Sequence, residues 1–117
     1  MPFLLLTIVK QGVPDDEVLE TLAGELTLDW LALGRRLQFR DTKLEAFDKE
    51  NDKCSEKAFK MLLRWKHKNG SRATYEVLNN ALCHNLVNRV DLAEEYCRDS
   101  RRWRSSSQLS RIEIKNE

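Results

Sequence analysis

From Asp15 onward the apolar positions recur with a helical period. Val18, Leu19, Leu22, Ala23 and Leu26 fall on one stripe, which predicts a first helix of about twelve residues. Pro14 precedes it, and Asp15, Asp16 and Glu17 complement the exposed N–H groups of its first turn. Asp29 is placed to cap a second helix whose inner face is Trp30, Leu33, Gly34 and Leu37. Gly34 costs roughly 1 kcal/mol against Ala in mid-helix, so a close crossing is expected there. Asp41 is the expected cap of a short third helix with Leu44 and Phe47 as its anchors, ended by Asn51-Asp52-Lys53.

The clearest pattern is the fourth. Ser55 is expected to cap a helix carrying Ala58, Met61, Leu62 and Trp65 at i, i+3, i+4 and i+7, stopped at Asn69-Gly70 by a left-handed residue. Thr74 caps a fifth helix with Leu78, Ala81 and Leu82 inside, Tyr75 beside them. Asn88, with Asp91 three residues on, reads as the capping box of a sixth that carries Leu92, Ala93, Tyr96 and Cys97. The expected architecture is all-α: six short helices between about residues 15 and 98 around a core of leucines, Trp30, Trp65 and Phe47. Residues 1–14 form an apolar arm, strand-like at Phe3 to Val9. Residues 99–117 are basic and Ser-rich, which predicts disorder.

Composition narrows the class. The chain has 117 residues, enough for one domain. It has only 4 Gly and 2 Pro, which disfavours the many turns of a sandwich or barrel. The 3 cysteines, Cys54, Cys83 and Cys97, are odd in number and lack Cys-x-x-Cys spacing, so neither a disulfide framework nor a zinc site is expected. Free thiols in a reducing, cytoplasmic setting fit better. No apolar run approaches the ~18 residues of a membrane span, and Phe3 to Val9 lacks the flanks of a signal peptide. Cys83 and His84 are adjacent on a helix and diverge by about 100°, which disfavours a catalytic dyad or a metal pair. There is no Gly-rich phosphate loop.

Charge adds more than composition does. The total is +1. Residues 1–53 hold seven basic and eleven acidic side chains, a net of −4, and residues 54–117 hold thirteen and eight, a net of +5. The fourth helix and its exit gather Lys57, Lys60, Arg64, Lys66, Lys68 and Arg72 against Glu56 alone. The first helix exposes Asp15, Asp16, Glu17, Glu20 and Glu25. The second is basic at Arg35, Arg36 and Arg40. The third is mixed at Lys43 and Lys49 and acidic at Asp41, Glu45, Asp48 and Glu50. A charged helix face is by default simply solvated. Unlike faces on one small domain nevertheless allow head-to-tail association that need not close.

Two strings carry a family resemblance. One is Leu22-Ala23 with Asp29-Trp30-Leu31-Ala32-Leu33-Gly34-Arg35-Arg36-Leu37. The other is Ala58-Phe59-Lys60-Met61-Leu62-Leu63-Arg64-Trp65-Lys66, followed by Gly70-Ser71-Arg72-Ala73-Thr74-Tyr75, Leu78, Ala81-Leu82 and Asp91-Leu92-Ala93. In this order they resemble the death domain over roughly residues 15–98. The resemblance implies a six-helix antiparallel Greek-key bundle with no enzymatic activity, cofactor, metal or small-molecule substrate. It implies assembly with other death domains, in self or mixed pairs, within apoptotic or innate immune signalling.

The family's three asymmetric interfaces join helices 1 and 4 to helices 2 and 3, the helix 4 end to the helix 5–6 region, and helix 3 to neighbouring loops. Interface candidates are therefore Glu17, Glu20, Arg35, Arg36, Arg40, Asp41, Lys43, Glu45, Asp48, Glu56, Lys57, Lys60, Arg64, Lys68 and Arg72. Core candidates are Leu22, Leu26, Trp30, Leu33, Leu37, Leu44, Phe47, Ala58, Met61, Leu62, Trp65, Leu78, Leu82 and Leu92. The competing functions are a small helical nucleic-acid binder using the fourth helix and the Arg98–Arg104 cluster, and a purely structural domain of a larger scaffold. The acidic first helix argues against the former. In the tail, Trp103 sits among arginines with no apolar stripe, which reads first as a disordered spectator and otherwise as a short docking or nuclear-import element, and Arg102-Trp103-Arg104-Ser105-Ser106-Ser107 suits a basophilic kinase.

Overall fold

A computed structural model describes residues 7–100. Six helices follow one another: α1 (Asp16–Glu25), α2 (Asp29–Arg36), α3 (Asp41–Glu50), α4 (Cys54–Asn69), α5 (Tyr75–Cys83) and α6 (Val90–Leu92). A 3₁₀ turn, Gly70–Arg72, joins α4 to α5, and α6 runs on as a π-helical turn over Ala93–Cys97. Two caps follow from side-chain chemistry. The Asp15 carboxylate accepts from the Val18 N–H at 2.9 Å, and the Thr74 hydroxyl accepts from the Val77 N–H at 3.3 Å. α4 ends where the Asn69 amide donates to the Trp65 carbonyl at 2.9 Å and Gly70 turns to φ +57°, a region that glycine enters without a Cβ penalty.

Four expected caps are not caps. Asp29 and Asp41 are the first residues of their helices, and Ser55 is the second residue of its own. A capping residue must stand outside the helix, usually in extended backbone, and these lie one or two residues too far in. Their positions in the first turn still complement the helix dipole. Asn88 instead makes the turn before α6 at φ +54°, and Arg89 occupies the cap position without a side-chain bond.

Short strands close the bundle. β1 (Thr7–Val9) pairs antiparallel with β2 (Arg98–Ser100), matching Ile8 with Asp99, and Lys10 N–H donates to the Cys97 carbonyl at 2.8 Å. Asp99 and Ser100, expected in the disordered tail, are thus held by backbone pairing with the arm. The remaining tail, with Trp103 and Ser105–Ser107, and the arm before Thr7 lie outside the described residues.

The helices meet around one core. α1 and α4 pack most extensively against each other, and α2 and α3 pack on α4. Leu22, Leu26, Trp30, Leu33, Leu37, Leu44, Phe47, Ala58, Met61, Leu62, Trp65, Leu78, Leu82 and Leu92 are all buried. So are Phe39, Ala73 and Val87, which lie in loops and follow no period. Gly34 sits at the expected close crossing: a Cβ there would stand 2.6 Å from Leu44 Cδ2. Buried Phe39 and Phe47 meet edge to face, with centroids 5.8 Å apart.

Candidate protein-interaction surfaces

Four recesses gather most of the candidate charges of the helices. On one side, α1 and the start of α4 bring Glu20 and Glu56 together along a groove of about 280 Å³, with Phe59 and Gly24 in its wall. Glu17 is exposed one turn before Glu20. This groove is acidic, although its α4 residue comes from the helix with the most basic sequence. Lys60 is exposed on α4.

A second cleft, about 250 Å³, lies where the α2–α3 link crosses the end of α4. Arg40, Lys43, Arg64 and Lys68 line it with Gln38, Phe39 and Thr42, and no carboxylate shares the lining. None of the four cations has an ion-pair partner among the described residues. Lys43 Nζ sits 5.4 Å from the Phe47 ring centroid and Lys68 Nζ 5.9 Å from that of Phe39.

The third place is the α2–α3 face. Arg35, Asp41, Glu45 and Asp48 surround a recess over Leu31 and Leu44. Arg35 Nε donates to Asp41 Oδ1 at 3.1 Å, so that pair is already matched. Asp48 is matched too, by Lys57 of α4, which is half-buried. The bond to Asp48 raises the Lys57 pKa. The fourth place is a groove of about 370 Å³ lined by Arg36, Arg72, Gln38, Asn69, Trp65 and the exposed Val77. Arg36 is half-buried. Its Nε is enclosed without a hydrogen-bond partner, and its Nη1 lies 3.4 Å from His84 Nε2.

The fifteen candidates therefore differ in availability. Arg35, Asp41, Asp48 and Lys57 satisfy each other within the domain. Part of the acidic α1 face is similarly spent, because Lys66 Nζ donates to Asp16 Oδ1 at 2.7 Å and holds that carboxyl below its ordinary pKa. Glu17, Glu20, Glu56, Lys60, Arg40, Lys43, Arg64, Lys68 and Arg72 are exposed and carry no ion pair among the described residues.

One organising residue was not legible in the pattern. Arg89 Nη1 donates to Asp29 Oδ2 at 2.6 Å, while its Nε and Nη2 reach the two Asp91 oxygens at 3.1 and 3.2 Å. Asp29 Oδ1 accepts from the Thr27 N–H at 2.8 Å. Arg89 thereby ties the entrance of α6 to the α1–α2 corner. The bonds to Asp91 and then Asp29 raise its own pKa, and its guanidinium lowers that of Asp91. Tyr96 adds a parallel tie, its hydroxyl donating to Glu25 Oε2 at 2.7 Å. Arg98 fixes β2 to α5 through Asn79 Oδ1 at 2.9 Å.

The death-domain family model matches residues 16–96, more than two-thirds of the chain and the whole helical bundle. The chain belongs to the death-domain family. Its fold is accordingly the family's six-helix Greek-key bundle, and the domain is a homotypic protein-interaction module. Against curated proteins the chain finds no match. Among the described residues of this death domain, no helix is long and apolar enough to cross a membrane, and no three His, Cys, Asp or Glu side chains converge as metal ligands would.

Proposed function

We propose that this death domain acts without enzymatic chemistry in the cytoplasm, assembling with other death domains in apoptotic or innate immune signalling. Its unlike charged faces would make the contacts. The observation that carries this reading is the separation of the Glu20–Glu56 groove from the Arg40–Lys43–Arg64–Lys68 cleft, both exposed on one small bundle. A surface with an acidic groove at the start of α4 and a basic cleft at its end suits a heterologous contact, in which one copy's groove faces another's cleft. Such contacts favour open growth over a closed dimer. Their charges steer encounter and select partners more than they add affinity.

Light scattering after size exclusion, across protein concentration and at low and high salt, tests the reading. Growth beyond a dimer that salt suppresses is the expected result. A Lys60→Glu variant, exposed and unpaired in the described domain, should lose assembly while its helical signal and melting curve stay unchanged. Lys60 is a cleaner probe than Arg36, whose half-buried side chain packs against His84. Wild-type-like assembly by folded Lys60→Glu would remove Lys60 from the interface. A monomer at every concentration would remove self-association and leave mixed pairing with a different death domain.

A further inference from the structure

The basic cleft gathers four like charges in one lining. Its four cations come from two chain segments: Arg40 and Lys43 at the entrance to α3, and Arg64 and Lys68 one turn apart on α4. Two of the heads lie within cation–π range of aromatic rings. Lys43 lies over Phe47 and Lys68 over Phe39, and those two rings form the buried edge-to-face pair. At the rim, Gln38 takes φ +76° as the left-handed residue that ends α2, with the Phe39 N–H donating to the Gly34 carbonyl at 3.1 Å.

Neighbouring cations repel one another in the absence of an anion. Here four of them share one lining with no carboxylate, whereas Lys57, Lys66 and Arg89 have acidic partners, and Lys60 and Arg72, also unpaired among the described residues, lie outside this cleft. An occupant that answers four positive charges in about 250 Å³ has to be compact and highly charged. A carboxylate brings one negative charge and a phosphate monoester brings nearly two. Two neighbouring phosphates therefore match the cleft. Arg40 and Arg64 offer planar forks suited to phosphate oxygens, the lysines offer point charges, and the Thr42 hydroxyl offers a neutral donor. The volume falls below that of sites taking drug-sized apolar ligands, which again favours a small anion.

We propose that Arg40, Lys43, Arg64 and Lys68, with Thr42, form a binding site for a compact anion bearing two or more phosphates. Such an anion exists free in solution and as a phosphorylated inositol lipid headgroup, and the two sources share the chemistry recognised here. The inference does not depend on assembly with other death domains, because the site is complete within one chain. Occupancy would neutralise the most basic face of the domain and so change any contact made there.

Titration calorimetry of the full chain with pyrophosphate at near-physiological salt tests the site. One saturable site per chain is expected. Arg64→Gln and Lys68→Gln should each weaken binding about tenfold, the loss of one charge-assisted hydrogen bond. Lys60→Gln removes the same charge from the same helix outside the cleft and should leave binding unchanged. Inositol trisphosphate and phosphatidylcholine vesicles containing phosphatidylinositol bisphosphate separate the sources. Equal binding of the free headgroup supports a soluble ligand, and a preference for the vesicle supports a lipid. Absence of saturation with all three probes overturns the proposal. So does an equal loss for Lys60→Gln and Arg64→Gln, since net charge alone would then explain the binding. Retained pyrophosphate binding in a Lys60→Glu variant that no longer assembles separates this inference from the assembly reading.

Discussion

Arg89→Met should destabilise the bundle by about 2 kcal/mol. Methionine keeps much of the aliphatic stem and deletes the guanidinium, so the change isolates the polar contacts. The relevant bond is the one to Asp29. Its side chain is 19% exposed and Arg89's is 25%, so water screens the pair only partly. A hydrogen bond to a charged group contributes about 1.5–3 kcal/mol, and removing the guanidinium leaves the Asp29 carboxylate partly buried with no cation beside it and only Thr27 donating to it. The bonds to exposed Asp91 are solvated and are left out of the figure. Urea unfolding followed by tryptophan fluorescence is the assay, because Trp30 and Trp65 are both buried and report loss of the core. The midpoint should fall with the slope unchanged. A double-mutant cycle with Asp29→Asn should show about 1–2 kcal/mol of coupling between the two sites. Arg89→Lys should restore only part of the loss, because an ammonium lacks the fork that spans Asp29 and Asp91. A loss below about 0.5 kcal/mol, the range of an ordinary surface change, would refute the clamp.

Three further outcomes are expected. Gly24→Ala in α1 should gain about 0.5 kcal/mol, because its Cβ meets nothing within 4 Å, whereas Gly34→Ala should gain nothing or lose, because its Cβ would press on Leu44; equal midpoint shifts for the two would deny the close crossing. Burial pushes the Cys97 thiol up to about 12, so in native protein a thiol reagent should label half-buried Cys54 and Cys83 first and reach Cys97 only on unfolding. Because the folded values of Cys97, Tyr75 and Tyr96 are all raised, chiefly by burial, their contribution is complete below the unfolded values and is lost as pH rises through the folded ones. The urea midpoint should therefore decline from about pH 9 upward, less steeply in Cys97→Ala, and a flat midpoint to pH 11 would contradict the burial of these groups.

The sequence by itself determined the helices and what they bury. Period-3.6 stripes are a local property, and a residue on such a stripe has little choice but to face the core; hence Trp30, Trp65, Met61 and the leucines lie inside. Capping was legible at Thr74, whereas Asp15, read as a first-turn residue, is itself the cap, and the other starts were missed by one or two positions, because a helix boundary depends on how the preceding link enters. Phe39, Ala73 and Val87 are buried from loops, where no period announces them.

Tertiary structure alone decided which charges meet. Lys66 finds Asp16 across fifty positions and Arg89 finds Asp29 across sixty, so a run of like charge along α4 does not translate into one uniform face. Glu56 joins Glu20 in an acidic groove, while Arg64 and Lys68 join Arg40 and Lys43 in a basic cleft. Charge interactions act through space and fall off within a Debye length of about 8–10 Å, so their partners are set by helix packing rather than by order along the chain.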